Sequence, residues 1–254
     1  MYPTDLTETQ WQIIKKSLNE KERKRKHSLK SIFNALLYVI KTGCQWRMLP
    51  NDFPKWELVY YYFRKWMNEE RFDNILDSLR TKARLKLNQN AKPSLGIIDS
   101  QTVRWGNNRA LNGYDGNKKI KGIKRHVVVD KNGFLIAVMV TVACFHDSTC
   151  VMQLMRVLQD SYHNIKTIIA DGGYRGEVIK SVLNKYKILL EIVLRPKEKE
   201  KTNNFQPIHK RWIIERTFAW FENKRRLTRN YELLMETSEE MVKIAAIQLL
   251  LNKF

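Results

Sequence analysis

Residues 168–180 read IIADGGYRGEVIK. Two isoleucines and an alanine run into a bare carboxylate, Asp171, and the next two positions carry no side chains. An ordinary Asp-Gly turn would account for that pattern. So would a strand end that holds charge beside the backbone, because glycine lets a bulky polyanion or a second segment approach closely. The pattern has a counterpart upstream. GIIDSQTV (96–103) again sets one acid, Asp99, behind an apolar wall.

Working outward, the segments around these acids alternate in period. SLGIIDS (94–100), RHVVVD (125–130) and GFLIAVMVTVA (133–143) read as strands, the last two joined by a KNG hairpin turn. A helix at about 149–161, the strand IKTIIA (165–170), a helix after Gly176 and the strand ILLEIVL (188–194) follow. The helices RWIIERTFAWFENKRRL (211–227) and SEEMVKIAAIQLLLNKF (238–254) complete the order β-β-β-α-β-α-β-α-α. That order implies an α/β fold, a mixed sheet with helices on both faces. If the first and fourth strands are central neighbours, Asp99 and Asp171 stand side by side.

The first ninety residues have a helical period. TDLTETQWQIIKKSL (4–18) opens with a Thr-Asp start signal and spaces Leu6, Trp11, Ile14 and Leu18 along one stripe. NEKERKRKH (19–27) has no apolar face and reads as an exposed basic connector. SLKSIFNALLYVIKTG (28–43) stops at Gly43, and a later helix carries Tyr60, Tyr61, Tyr62, Arg64 and Lys65. A last helix covers roughly 69–88, and QNAKPS (89–94) marks a boundary. Short helices with a basic later member suit a helix-turn-helix-like DNA-binding domain over 1–92, although any small helical bundle gives this pattern. Trp46, Trp56 and Trp66 are expected in its core.

Composition narrows the class. The net charge of +20 over 254 residues makes nucleic acid the first partner to test. Cys44, Cys144 and Cys150 form no CxxC pair, which argues against a disulfide framework and a zinc site. The start, MYPTDLTETQ, lacks the features of a signal peptide, and FLIAVMVTVACF (134–145) is too short to span a bilayer. A cytoplasmic protein without a membrane partner is expected.

Two carboxylates a few ångströms apart repel unless a cation lies between them or one stays protonated. No His or Cys adjoins either acid, and hard oxygen ligands suit Mg²⁺ or Mn²⁺. Glu215, within RWIIERTFAW, is the candidate third ligand. Arg211 lies one turn earlier on the same helix face, where it could meet a phosphate oxygen. His126 and His146 have the wrong spacing for a metal site and are expected as cap or phosphate contacts. Asp147 is expected at a helix N-terminus.

The chain resembles the bacterial insertion-sequence transposases of the DDE type, in the subgroup typified by insertion sequence five. The likeness runs through MYPTDLTETQW (1–11), YVIKTGCQWRMLPNDFPKWELVYYYFRKW (38–66) and IIDSQTV (97–103). It continues through GYDGNKKIKGIKRHVVVD (113–130), ADGGYRGE (170–177) and RWIIERTFAWFENKRRLTRNYE (211–232). The resemblance implies an RNase H-like catalytic domain over 93–254, with Asp99, Asp171 and Glu215 as a metal-binding triad for two Mg²⁺ ions, or Mn²⁺ in their place. It implies hydrolysis at terminal inverted repeats followed by transfer of the 3′-OH ends into double-stranded target DNA, by a dimer assembled on DNA. In the wider superfamily's Tyr-Arg-Glu-Lys signature, Arg211 and Glu215 match, whereas Ile208 and Glu222 stand at the Tyr and Lys positions. Lys224, Arg225 or Arg226 would then supply the missing charge.

The basic tracts Lys118, Lys119, Lys121, Lys124 and Arg125, and Lys224, Arg225, Arg226 and Arg229, are expected to hold DNA phosphates. Recognition of the repeats is expected from Arg64 and Lys65. A nuclease that cuts without joining and an inactive DNA-binding regulator are the competing readings.

Overall fold

The structure is a computed structural model that describes residues 2–21, 23–106, 109–161, 164–174, 176–193 and 211–254. Four helices come first: α1 (Glu8–Leu18), α2 (Leu29–Thr42), α3 (Trp56–Asn68) and α4 (Arg71–Lys86). α1 opens three residues later than the Thr-Asp signal, on a capping box at Thr7. Gln10 N–H donates to Thr7 Oγ1 at 3.2 Å, and the Gln10 side chain accepts from Thr7 N–H at 3.1 Å. Gly43 ends α2 in the left-handed region at φ +69°. Trp66 is fully buried, while Trp46 and Trp56 are half-buried.

The remainder holds six strands and four helices among the described residues: β1 (Leu95–Arg104), β2 (Gly113–Asp115), β3 (Ile120–Val129), β4 (Leu135–Val142), α5 (Asp147–Ser161), β5 (Thr167–Ala170), α6 (Val178–Tyr186), β6 (Leu189–Ile192), α7 (Arg211–Glu222) and α8 (Met235–Leu251). β4, β3 and β1 form an antiparallel meander, and β5 and β6 extend it in parallel from β1. This meander with parallel additions is the RNase H-like strand order, the α/β class expected. β2, which pairs with the start of β3, was not foreseen, because three residues carry no readable period.

Alternation along the strands divides the core. Ile97, Val127, Val129, Val138 and Ile169 join one apolar cluster with α7, α8 and the N-terminal helices. Ile98, Val128, Ile136, Ile168 and Ala170 join a second cluster under α5 and α6. Helices on both faces therefore follow from the period-two pattern. The first cluster runs unbroken from Leu76 and Leu79 of α4 to Ile244 and Ile247 of α8, so the change of period near residue 92 brings no break in the core. Two buried arginines of α4 reinforce that seam. Arg80 donates to the Leu135 carbonyl at 2.7 Å, and Arg84 pairs with Asp130.

Two helix ends differ from the sequence pattern. α7 closes at Glu222, and a 3-10 turn (Arg225–Leu227) replaces its expected last turn. α8 begins at Met235, because Ser238, read as the start, is buried against the core.

A carboxylate site at the end of two parallel strands

Strand register builds the site. β1 and β5 run parallel with Ile97 opposite Ile169. Two positions further along each chain stand Asp99 and Asp171, which share the pleat face of those isoleucines. That face looks toward α7. The helix is held there by its own polar side chains on the β3–β4 hairpin: Arg216 donates to Asn132 O at 2.9 Å, and Thr217 Oγ1 to Gly133 O at 3.1 Å. So docked, α7 presents Arg211 and Glu215 over the strand ends.

The four side chains converge. Arg211 Nη2 lies 3.6 Å from Asp99 Oδ2, 3.7 Å from Asp171 Oδ2 and 3.7 Å from Glu215 Oε1. Exposure grades outward, from 18% for the Asp99 side chain through 30% for Asp171 to 58% for Glu215, so Asp99 is the floor and Glu215 the mouth. Each aspartate spends its other oxygen on the backbone. Ser100 N–H donates to Asp99 Oδ1 at 2.7 Å, and Gly173 N–H to Asp171 Oδ1 at 2.9 Å. A Cβ on Gly173 would stand 3.0 Å from Asp171 Oδ1, tighter than usual contact. The glycine thus keeps the carboxylate seated.

Burial pushes the Asp99 carboxyl up to about 6. The Ser100 N–H and Arg211 pull it back, Asp171 adds to the rise, and Lys118 opposes it. Lys118 is exposed and donates to Ser100 O at 3.4 Å, which places a second cation beside the acids. Among the described residues, no three carboxylate, imidazole or thiolate groups already stand close enough to hold a metal ion. The acids instead surround one guanidinium at ion-pair distance, beyond hydrogen-bond length.

Beneath the strands lies a polar layer that sequence reading missed. Ser100 Oγ donates to Asp147 Oδ1 at 2.8 Å, and Lys124 Nζ stands 3.2 Å from the same oxygen. Thr102 Oγ1 donates to Asp115 Oδ2 at 2.5 Å. Tyr174, fully buried, has a hydroxyl without a hydrogen-bond partner among the described residues. Ser and Thr alternating with Asp99 along β1 were the available signal. Asp147 does sit in the first turn of α5, and exposed His146 bonds Ser148 there at 2.7 Å. His126 is no phosphate contact. It is buried, bonded to Thr141 at 3.0 Å, and pushed down to about 4 by burial against the opposing pull of Asp147.

The expected DNA contacts separate into two groups. Lys118, Lys119, Lys121 and Arg225 are exposed. Lys124, Arg125, Lys224 and Arg226 are buried and serve the protein interior, which corrects the expectation for them. Lys124 donates to Phe145 O at 2.9 Å, and Arg125 to Leu227 O at 2.8 Å. Lys224 donates to Gln248 at 2.7 Å, with burial pushing its amine down to about 8. Arg226 pairs with Glu232 at 2.7 Å. In the helical region, Lys65 is paired with Glu20 at 2.5 Å, and Arg64 donates to Thr237 at 3.4 Å. Ile208 lies outside the described residues. Glu222 is exposed and accepts from Gln101 at 3.0 Å.

A meander extended by two parallel strands, with one acid on β1 just past its pairing with β5 and the other directly after β5, defines a protein of the RNase H-like class. Within it, the chain belongs to the transposase DDE domain family, whose model matches residues 90–251. A second model, described as a putative transposase of the IS4/5 family, matches residues 6–76. The chain is 31% identical over 145 residues to a putative transposase for insertion sequence element IS402 from Burkholderia cepacia. That match takes in 54% of this chain and 64% of the relative, less than two thirds of its length. Among solved structures, it is similar to a piggyBac transposase synaptic complex with hairpin DNA at 11% identity and a TM-score of 0.42, covering 94% of this chain and 69% of that one. It is also similar to the Drosophila P element transposase strand transfer complex, at 14% identity and a TM-score of 0.35, covering 74% and 45%. Among the described residues, no helix is long and apolar enough to cross a membrane.

Proposed function

We propose that the chain is a DNA transposase that frees a 3′-hydroxyl at the ends of an insertion sequence and joins it to target DNA. One observation carries this reading: Asp99 and Asp171, in matching positions past the Ile97–Ile169 pair, meet Glu215 around a single guanidinium. The donor set fits a hard divalent cation, with carboxylate oxygens only and, on each aspartate, one oxygen tied to backbone and one turned inward. Asp99, Asp171 and Glu215 would hold Mg²⁺ or Mn²⁺, which when bound supplies Lewis acidity at phosphorus and offsets charge on the leaving oxygen. Two ions are proposed, one for each oxygen that gains or loses a bond.

In the first reaction, the oxygen of water bonds to phosphorus and the 3′ oxygen leaves. In the second, that 3′ oxygen attacks a target phosphodiester and displaces the target's own 3′ oxygen. One P–O bond forms for each broken, so no side chain is needed as a covalent nucleophile. Asp99 is deep and backbone-bound, and it sets the floor of the pocket. Arg211, among the acids, is within reach of a non-bridging phosphate oxygen, where a bidentate guanidinium binds best. Lys118 stands at the rim for a neighbouring phosphate. Double-stranded element ends and target DNA are the partners, one protomer per end in a dimer, and the protein works in the bacterial cytoplasm at the nucleoid.

The test incubates the full chain with a labelled duplex carrying the inverted repeats that flank its gene, a target plasmid and Mg²⁺. A joined product that disappears with EDTA is expected. Cut ends without joining would make the protein a nuclease, and binding without cutting would make it a regulator.

A further inference from the structure

The basic connector between α1 and α2 is a built loop. α1 ends at Asn19 in the left-handed region, at φ +46°. Glu20 then turns inward, where the Lys65 ammonium lies at 2.5 Å and the Trp66 indole N–H donates to it at 3.0 Å. Arg25 turns inward as well. It stands 3.6 Å from Glu20 and donates to the backbone carbonyl of Lys21 at 2.9 Å and to that of Arg23 at 3.4 Å. One inward acid and one inward base thus curl the loop, and Lys21, Lys24 and Lys26 are left exposed on its outside, with Arg23 exposed beside them while its side chain bonds Tyr62. Lys15 and Lys16, in the last turn of α1, are exposed beside them. Between the loop and α1 is an open concavity of about 800 Å³ with Lys15, Arg23 and Lys26 in its lining.

This surface suits a nucleic-acid backbone. Glu20 is already engaged with Lys65 and Trp66 and so offsets none of the outward charge. The connector's second acid, Glu22, lies outside the described residues, and the five Lys and Arg of 19–27 outnumber the two acids. Of the apolar residues lining the concavity, Trp11 and Leu18 are buried at 8% and 1% exposure and only Leu29 is half-buried, which leaves little to insert into a lipid surface. Lysine and arginine at the tip suit phosphate oxygens, the sequence-independent share of DNA binding.

We propose that the α1–α2 connector is a phosphate clamp for duplex DNA, latched in shape by Glu20, Lys65 and Trp66. Lys65 then acts as a positioning residue in place of the direct DNA contact expected of it, and Arg64 makes no DNA contact. The inference rests on the DNA-partner part of the proposed function and is independent of its chemistry.

The experiment measures binding of the full chain to a fluorescent random-sequence duplex by anisotropy, in EDTA, over a series of salt concentrations. The quadruple variant Lys21→Ala, Arg23→Ala, Lys24→Ala, Lys26→Ala is expected to stay folded, losing the Arg23–Tyr62 contact alone, as a thermal melt checks. Its log-affinity against log-salt slope should be shallower by roughly three to four, about one for each phosphate that the variant leaves without its cation. Glu20→Gln should weaken binding while the four cations remain, and Arg64→Ala should bind as wild type. An unchanged slope in the quadruple variant overturns the proposal. Loss of binding to phosphatidylserine vesicles with unchanged duplex binding would overturn it in favour of a membrane. A wild-type chain that binds in EDTA with the expected slope but forms no joined product with Mg²⁺ would sink the transposase chemistry and leave the clamp standing.

Discussion

Gln101 donates to Glu222 at 3.0 Å, tying the face of β1 that carries Asp99 to the last residue of α7. Glu222 lies about two helical turns beyond Glu215 and stands where the wider superfamily signature has lysine. An acid there repels the phosphates that the neighbouring cations attract. Glu222→Lys is expected to tighten duplex binding and steepen its salt slope by about one. Glu222→Gln, which keeps a side-chain oxygen for Gln101, should leave the slope alone. Anisotropy at several salt concentrations distinguishes the two, and an unchanged slope in Glu222→Lys would place this end of α7 away from DNA.

Asp99→Asn, Asp171→Asn and Glu215→Gln should each lower Mg²⁺-dependent end cleavage by roughly 10³-fold or more, as removal of a charge-stabilising group does. Stability should move the other way for the first of them. Because burial raises the Asp99 carboxyl to about 6, its charge opposes folding at neutral pH. Metal-free Asp99→Asn should therefore melt no lower than wild type at pH 7. A clearly lower melting temperature would show that pairing with Arg211 outweighs desolvation.

Glu239 and Glu240, early in α8, are both pushed up to about 7 by burial, although Val140 N–H donates to Glu239 at 2.7 Å and Lys243 pairs with Glu240 at 2.7 Å. A raised carboxylate holds in the folded state a proton that the unfolded chain has released, so its contribution to stability falls as pH rises from about 4.5 to about 7. Buried neutral His126 works in the opposite sense at the acid end, so the difference between variant and wild type is the useful quantity. Glu239→Gln should gain melting temperature over wild type as pH rises through that window, with a constant gain above it. A gap that is flat from pH 5 to pH 8 would contradict the shift.

Gly133 adopts φ +84° at the tip of the β3–β4 hairpin, and a Cβ there would stand 2.7 Å from Thr217 Oγ1. Gly133→Ala combines backbone strain with a clash against α7, at a cost of about 1–3 kcal/mol. Because α7 carries Arg211 and Glu215, end cleavage should fall further than the lost stability explains. Thermal melts and cleavage rates measured on the same preparation check this, and a melting loss with normal cleavage would detach the hairpin from the site.

Much of this was legible in the chain. Asp99 and Asp171 follow apolar runs of matching parity, so pairing of their strands puts them on one face, and the order of elements along the chain, β2 apart, followed from the alternation of periods. Glu215 was harder, because its placement depends on Arg216 and Thr217 reaching carbonyls more than eighty residues away in sequence. The charges were read least well. Lys118 to Arg125 looks like one basic tract, yet β3 is a central strand covered on both faces, which swallows Lys124 and Arg125. Lys224 and Lys65 likewise found partners in Gln248 and Glu20, pairings that no local window contains, while Arg226 found Glu232 six residues on.

The unbroken apolar seam from α4 to α8 gives the molecule a mechanical character. A separately hinged DNA-binding module would swing on its tether, and the cut could wander along the duplex. Here the N-terminal helices and the strands bearing the acids share one apolar core. Under the proposed function the chain would work as a caliper with jaws of set span, and DNA seated at one jaw would meet the other after a constant number of base pairs. Lengthening the chain near residues 89–91 by a few glycines should leave the cleavage position unmoved to the nucleotide, whereas a hinged arrangement would let it drift.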